Sequence, residues 1–332
     1  MSLKKVNRLT LALLLVAALL FSSHAIAATT SAPSILIEVS GARPTVEFIS
    51  DVVYSQPATF GTPCRALRMD ILKPASKDPL PAVLYIPGGG FMSANNDQWI
   101  QHRLDIAEAG YVVASIEYRV TPQSTFPAPL EDVKAAIRFL RANAEMYGID
   151  PDRIAVMGMS AGGYLAALAG TTNGVQEFDK GDYLDQSSDV QAVIDIFGLS
   201  DLTSIGHGFP KEVVAMHASP SAPEALLVHG PSVFGPGGTI FDNPEKVARA
   251  NPITYITGDE PPFLIFHGDM DTLVSPYQTE ILHSALVKAG VDSTRYVVKG
   301  AGHGGPAWVQ KQVIEIILNF LSKHLKKSQT PA

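Results

Sequence analysis

Gly158-Met159-Ser160-Ala161-Gly162 is the stretch whose reading decides the fold. It follows the apolar run Arg153-Ile154-Ala155-Val156-Met157 and opens the alanine-rich segment Gly162-Gly163-Tyr164-Leu165-Ala166-Ala167-Leu168-Ala169. Read as strand, cramped turn and helix, the segment is a G-x-S-x-G elbow, which lifts a serine hydroxyl above the end of a sheet. Gly162 and Gly163 have no side chains to keep the helix from packing closely. A bare G-x-S-x-G arises often by chance, so the strand before it and the helix after it carry the information.

A serine hydroxyl is a poor nucleophile near neutral pH and needs a histidine base oriented by a carboxylate. On this scaffold the chain order is Ser, then Asp or Glu, then His, with the last two on loops after late strands. Pro262-Phe263-Leu264-Ile265-Phe266 reads as a buried parallel strand and leads into His267-Gly268-Asp269-Met270-Asp271. Thr294-Arg295-Tyr296-Val297-Val298 reads as the next strand and leads into Gly300-Ala301-Gly302-His303-Gly304-Gly305. The base expected is His303, on a glycine-rich loop free to move and approach closely. The acid expected is Asp271, whose loop runs into the next helix, while Asp269 holds the turn through an Asx-type bond. His267 reads as a loop brace, and His102, His283 and His324 as solvated helix positions. His207, His217 and His229 have no recognised metal-ligand spacing.

Negative charge building on a carbonyl oxygen requires waiting backbone N–H groups. Ala161, next after the serine, supplies one. The strand Ala82-Val83-Leu84-Tyr85-Ile86 runs into Pro87-Gly88-Gly89-Gly90-Phe91, a loop whose bare backbone approaches a ligand closely.

With these residues the chain resembles an α/β-hydrolase. Tyr118-Arg119-Val120, Phe126-Pro127-Ala128-Pro129-Leu130-Glu131-Asp132-Val133 and Tyr147-Gly148-Ile149-Asp150-Pro151-Asp152-Arg153 resemble the bacterial esterases grouped with hormone-sensitive lipase. They are still more similar to the neighbouring group of bifunctional feruloyl and acetylxylan esterases, as is Asn251-Pro252-Ile253-Thr254-Tyr255 before Pro261-Pro262. The resemblance covers about residues 65 to 325. It implies a serine carboxylesterase without metal or organic cofactor, Gly89 and Gly90 presenting oxyanion N–H groups, and an ester substrate that is small or polysaccharide-linked. One departure stands out: the family loop usually reads His-Gly-Gly-Gly, and Pro87 occupies the histidine position. Two alternatives stay open, a prolyl-oligopeptidase-type exopeptidase and a catalytically silent binding protein on a hydrolase scaffold.

The chain has 332 residues, 46% of them apolar, with a net charge of −7. The negative balance and the lack of basic runs speak against nucleic-acid binding. Lys4, Lys5 and Arg8, then the apolar run Leu9 to Phe21, then Ala25-Ile26-Ala27 read as a signal peptide over 1–27, directing export to periplasm or medium. That run is short for a membrane span, though a retained N-terminal anchor is the alternative. Cys64 is the single cysteine, which permits no internal disulfide. Residues 28–60 read as a leader and 61–327 as one α/β catalytic domain, followed by a tail at 328–332. Strands alternating with helices predict a mostly parallel sheet covered on both faces. Val133, Ala136, Ile137 and Leu140 give one helix an apolar face toward that sheet. The Gly-, Pro- and Ser-rich stretch 198–250 is expected to form a lid-like insertion shaping the pocket. Phe91, Trp99 and Tyr164 are further candidates for its walls. Oligomeric state is not legible.

Overall fold

Strands whose every residue is buried are covered on both faces, and the centre of this molecule contains such strands. The computed structural model describes residues 34–326, apart from 42, 60–61, 64–65, 234 and 236. The expected signal peptide and C-terminal tail lie outside the described residues. The chain divides into two units, Met1–Ala42 and Arg43–Ala332. In the first, the described residues 34–41 are exposed and without helix or strand.

In chain order the second unit contains β1 (Val46–Ser55), β2 (Ala58–Thr59), β3 (Thr62–Pro63), β4 (Leu67–Pro74), β5 (Leu80–Ile86), α1 (Ile100–Glu108) and β6 (Val112–Ile116). There follow α2 (Ala128–Ala142), α3 (Ala144–Tyr147), β7 (Ile149–Met159), α4 (Ala161–Thr171) and β8 (Ala192–Ile196). Three short helices, α5 (Lys211–His217), α6 (Pro223–His229) and α7 (Pro244–Arg249), lie between β8 and β9 (Phe263–Gly268). Then come α8 (Tyr277–Ala289), β10 (Ser293–Val298) and α9 (Lys311–Leu325).

The main sheet has eight strands in the order β1-β4-β6-β5-β7-β8-β9-β10. β1 and β4 pair antiparallel, as do β4 and β6. Every pairing from β6 across to β10 is parallel. Alternate residues of the central strands feed two cores. Leu84, Val156 and Val193 face one core with α2 and α4. Val83, Met157 and Ile194 face the other with Val313, Ile317 and Leu321 of α9. Each such side chain contributes about 1.5–3 kcal/mol on burial.

One expectation is corrected here. The boundary at 60/61 falls too late, because β1 is the first strand of the main sheet. It pairs with β4 from Val46↔Pro74 to Ser55↔Leu67, and as an edge strand it has half of its residues facing water. α2 turns Val133, Ala136, Ile137 and Leu140 inward as expected, and its opposite face is covered as well. Lys134 donates to the Thr172 carbonyl and to Ser188 Oγ, and Arg138 pairs with Asp179.

The order places β6 on one side of β5 and β7 on the other, so the chain reverses direction at β5. Loops after β5 and β7 diverge there and open a crevice at the carboxyl ends of the strands, where open α/β sheets take ligands. The glycine loop and the elbow are those two loops.

Candidate active site

Ser160 occupies the one-residue turn between β7 and α4 with φ 57° and ψ −123°, a conformation side chains rarely adopt. Its N–H donates to the Ile196 carbonyl at 2.9 Å. The neighbouring glycines are there for space. A Cβ on Gly158 would stand 2.1 Å from the Gly162 carbonyl oxygen, and one on Gly162 would stand 2.0 Å from that of Ile86. Only bare backbone lets α4 sit directly on the end of β5, and this presents the Ala161 amide to the crevice.

The structure brings Ser160, His303 and Asp271 together. The Ser160 hydroxyl donates to His303 Nε2 at 2.8 Å, and His303 Nδ1–H donates to Asp271 Oδ2 at 2.7 Å. Asp271 is buried, and its Oδ1 accepts from the Leu273 and Val274 amides at 2.9 and 3.0 Å. Burial alone would push this carboxyl up. Hydrogen bonds from His267 and His303, the His303 charge and the Val274 amide hold it instead well below the usual carboxylate range. His303 is packed rather than loose: its ring lies 4.6 Å from that of Phe197, and Trp308 Nε1–H donates to the Gly302 carbonyl.

Asp269 does not make the expected Asx turn. Its Oδ1 accepts from the Gly300 amide across the gap to the β10 loop, and Asp271 makes the Asx-type bonds. The reason is parallel register: β9 and β10 end together at Gly268↔Val298, so the first carboxylate past β9 meets the backbone past β10. His267 is fully buried. Its Nε2–H donates to the Val274 carbonyl at 3.0 Å and lies 3.2 Å from Asp271 Oδ2, while Nδ1 accepts from the Thr279 hydroxyl. It thus fixes both the loop and the carboxylate.

The glycine loop is pinned at both ends. Tyr118 donates its hydroxyl to the Pro87 carbonyl at 2.9 Å, and the Thr121 amide and hydroxyl both donate to the Phe91 carbonyl. Gly89 (φ 144°) and Gly90 (φ 56°) have positive φ, which favours glycine, and a Cβ on Gly89 would stand 2.2 Å from the Ser93 carbonyl oxygen. Among the described residues, no carbonyl accepts from the N–H groups of Gly89, Gly90 or Ala161.

These groups border a cavity of about 450 Å³ together with Phe91, Trp99 and Phe197. Residues of the 198–250 stretch close its far side, among them Leu199, Ile205, Met216, His217, Pro223 and Glu224. Tyr164 is not a wall. It is buried in the core, donates to the Ala250 carbonyl and meets Phe91 edge-on. His102 is likewise fully buried, donating from Nε2 to the Trp308 carbonyl, because α9 covers α1. His283 and His324 are half-buried, hydrogen-bonded to Ser293 and facing Asp292 respectively. Sequence reading passed over Phe197, Glu224 and Asp195. No motif marks the first two. A carboxylate inside the apolar strand Ala192-Val193-Ile194-Asp195-Ile196 is a signal that could have been taken up.

The family model described as BD-FAE matches residues 69–286. Esterase LipC of Mycobacterium tuberculosis is 33% identical over 231 residues, covering 68% of this chain and 53% of its own length. The probable carboxylic ester hydrolase LipM of the same organism is 30% identical over 232 residues, 69% of this chain and 50% of its own. The chain therefore spans about half the length of these curated relatives. A solved structure of a truncated carbohydrate esterase from gut microbiota has a TM-score of 0.74 at 30% identity, over 87% of this chain and 99% of that one. A bifunctional GH43-CE protein of Bacteroides eggerthii has a TM-score of 0.72 at 32% identity, over 84% of this chain and 35% of that one.

Proposed function

The chain belongs to the BD-FAE family and has the α/β-hydrolase fold, and from that premise we propose that it is a serine carboxylic ester hydrolase with Ser160 as its nucleophile. Ser160 Oγ attacks the ester carbonyl carbon and its proton passes to His303 Nε2. The oxyanion that forms is met by the N–H groups of Gly89, Gly90 and Ala161, each such donor being worth on the order of 10²–10³ in rate. Asp271 keeps the tautomer with Nδ1 protonated and stabilises the imidazolium. The alcohol departs with the proton from Nε2. Water, deprotonated by His303, then cleaves the acyl-enzyme to release the acid.

The observation that carries this reading is the unbroken hydrogen-bonded chain from Ser160 through His303 to Asp271 beside three amides without carbonyl partners. The substrates we propose are short acyl esters, acetyl or feruloyl esters of plant polysaccharides among them, met outside the cytoplasm after export by residues 1–27. Support for the carbohydrate side comes from the similar solved structure described as a carbohydrate esterase. No helix among the described residues is long and apolar enough to cross a membrane. Replacing Ser160 with Ala is expected to abolish turnover of p-nitrophenyl acetate, longer-chain esters, methyl ferulate and acetylated xylan while the circular-dichroism spectrum stays unchanged. Equal rates in the variant and the parent would exclude the serine mechanism.

A further inference from the structure

The wall contributed by residues 198–250 is apolar except at one place. His217, the last residue of α5, and Glu224, in the first turn of α6, border the same cavity as Ser160 and His303. Their side chains are only 9% and 2% exposed, and His217 Nδ1 lies 2.6 Å from Glu224 Oε1. Leu199, Ile205, Met216 and Pro223 surround them on that wall.

Withdrawing an imidazole and a carboxylate from water is costly, and an apolar pair of similar volume would join α5 to α6 as well or better. Nor is the pair saturated. Among the described residues Glu224 makes no second hydrogen bond, and the buried His217 Nε2 makes none. One proton lies between Nδ1 and Oε1. That leaves a carboxylate oxygen as acceptor and an Nε2 that accepts in the neutral ring and donates in the protonated one. A hydroxyl, which both donates and accepts, matches such a pair. An ammonium ion matches it less well, because the Nδ1–H already answers the carboxylate charge.

We infer that the His217–Glu224 pair determines specificity at this site by recognising a free hydroxyl on the substrate, so that esters of hydroxylated alcohols are preferred over bare ones. The inference rests on the ester-hydrolase reading of Ser160 and deepens it.

The test compares kcat/KM for a mono-acetylated methyl xyloside and for cyclohexyl acetate. Acetylcholine and its uncharged isostere 3,3-dimethylbutyl acetate form a second pair. The parent protein is expected to favour the hydroxylated ester by about ten- to a hundredfold, the contribution of a hydrogen bond to a charged group. The double variant His217→Phe, Glu224→Leu keeps volume and leaves no charge unpaired; its ratio should fall toward one. Glu224→Gln, with an amide in place of the charge, should give an intermediate ratio and serves as the second variant if the double one does not fold. A hydroxyl preference that survives in both variants would overturn the inference, as would both rates falling together at constant ratio, which marks a mere brace. So would a preference for acetylcholine over its isostere. Ser160-dependent turnover of cyclohexyl acetate without any hydroxyl preference removes this inference alone. Absence of Ser160-dependent turnover of every ester removes the underlying reading with it.

Discussion

Ser160 Oγ, His303 Nε2 and Asp271 Oδ2 lie within one hydrogen-bonded chain, and each has its own support. Asp271 is held by two amides on one oxygen and by two imidazoles at the other, which makes its charge independent of substrate. Asp271→Asn would keep the acceptor facing Leu273 and Val274 but turn an NH₂ group toward His303. The ring would then carry its proton on Nε2 and could not take one from Ser160. We expect kcat on p-nitrophenyl acetate to fall on the order of 10⁴, and the melting temperature to fall as well because the NH₂ group also meets the buried His267 Nε2–H. Steady-state kinetics beside calorimetry check this, and a loss below tenfold would contradict the orientation given to Asp271. The order Ser, Asp, His and the strand ends were enough to nominate these three from sequence. Phe197 and Glu224 were not legible, because a ring platform and a buried pair leave no periodicity or motif.

At the scale of elements, α4 is held against β5 by the absence of atoms. All eleven residues of α4 are buried, and its first turn touches the Ile86 and Pro87 carbonyls. Gly162→Ala would drive a methyl group to 2.0 Å from the Ile86 oxygen, so the helix must shift with Ser160 and Ala161 attached. We expect a loss of about 3 kcal/mol or more, read from the urea midpoint, together with lost ester turnover. An unperturbed midpoint would show that the helix has room to move. Glycine spacing announces this contact in the sequence, since strand, turn and helix are all local. The edge strand β1 is harder to read. Its pairing partner lies across a poorly patterned connection, and its alternation is blurred by register shifts between Ile49 and Val52 and between Val53 and Ser55. Lys134 and Arg138 of α2 are buried because a loop distant in sequence supplies their partners.

A buried carboxyl with consequences for overall stability lies beneath the elbow. Asp195 of β8 is fully buried between Gly163 and Gly198; Oδ1 accepts from the Gly198 amide at 2.8 Å, and Oδ2 has no partner among the described residues. Burial pushes its carboxyl up to about 7 from an ordinary 3.8, against the opposing pull of that amide. Between those two values the folded chain holds a proton that the unfolded chain has released. This contribution to stability is complete below pH 3.8 and is lost as pH rises to about 7. Its full span is at most about 4 kcal/mol. Urea midpoints at pH 5 and pH 8 should therefore differ more in the parent than in Asp195→Asn, and an equal difference in both would show that Asp195 does not titrate in this window.

The serine mechanism requires a covalent bond at Ser160, and the mass of the intact protein reads it directly. After rapid mixing with p-nitrophenyl acetate and acid quenching, a species one acetyl group heavier is expected. The peptide containing Gly158 to Gly162 should carry that group, and Ser160→Ala should show none. Ester turnover with no acyl species on Ser160, or with the same adduct in the variant, would contradict it.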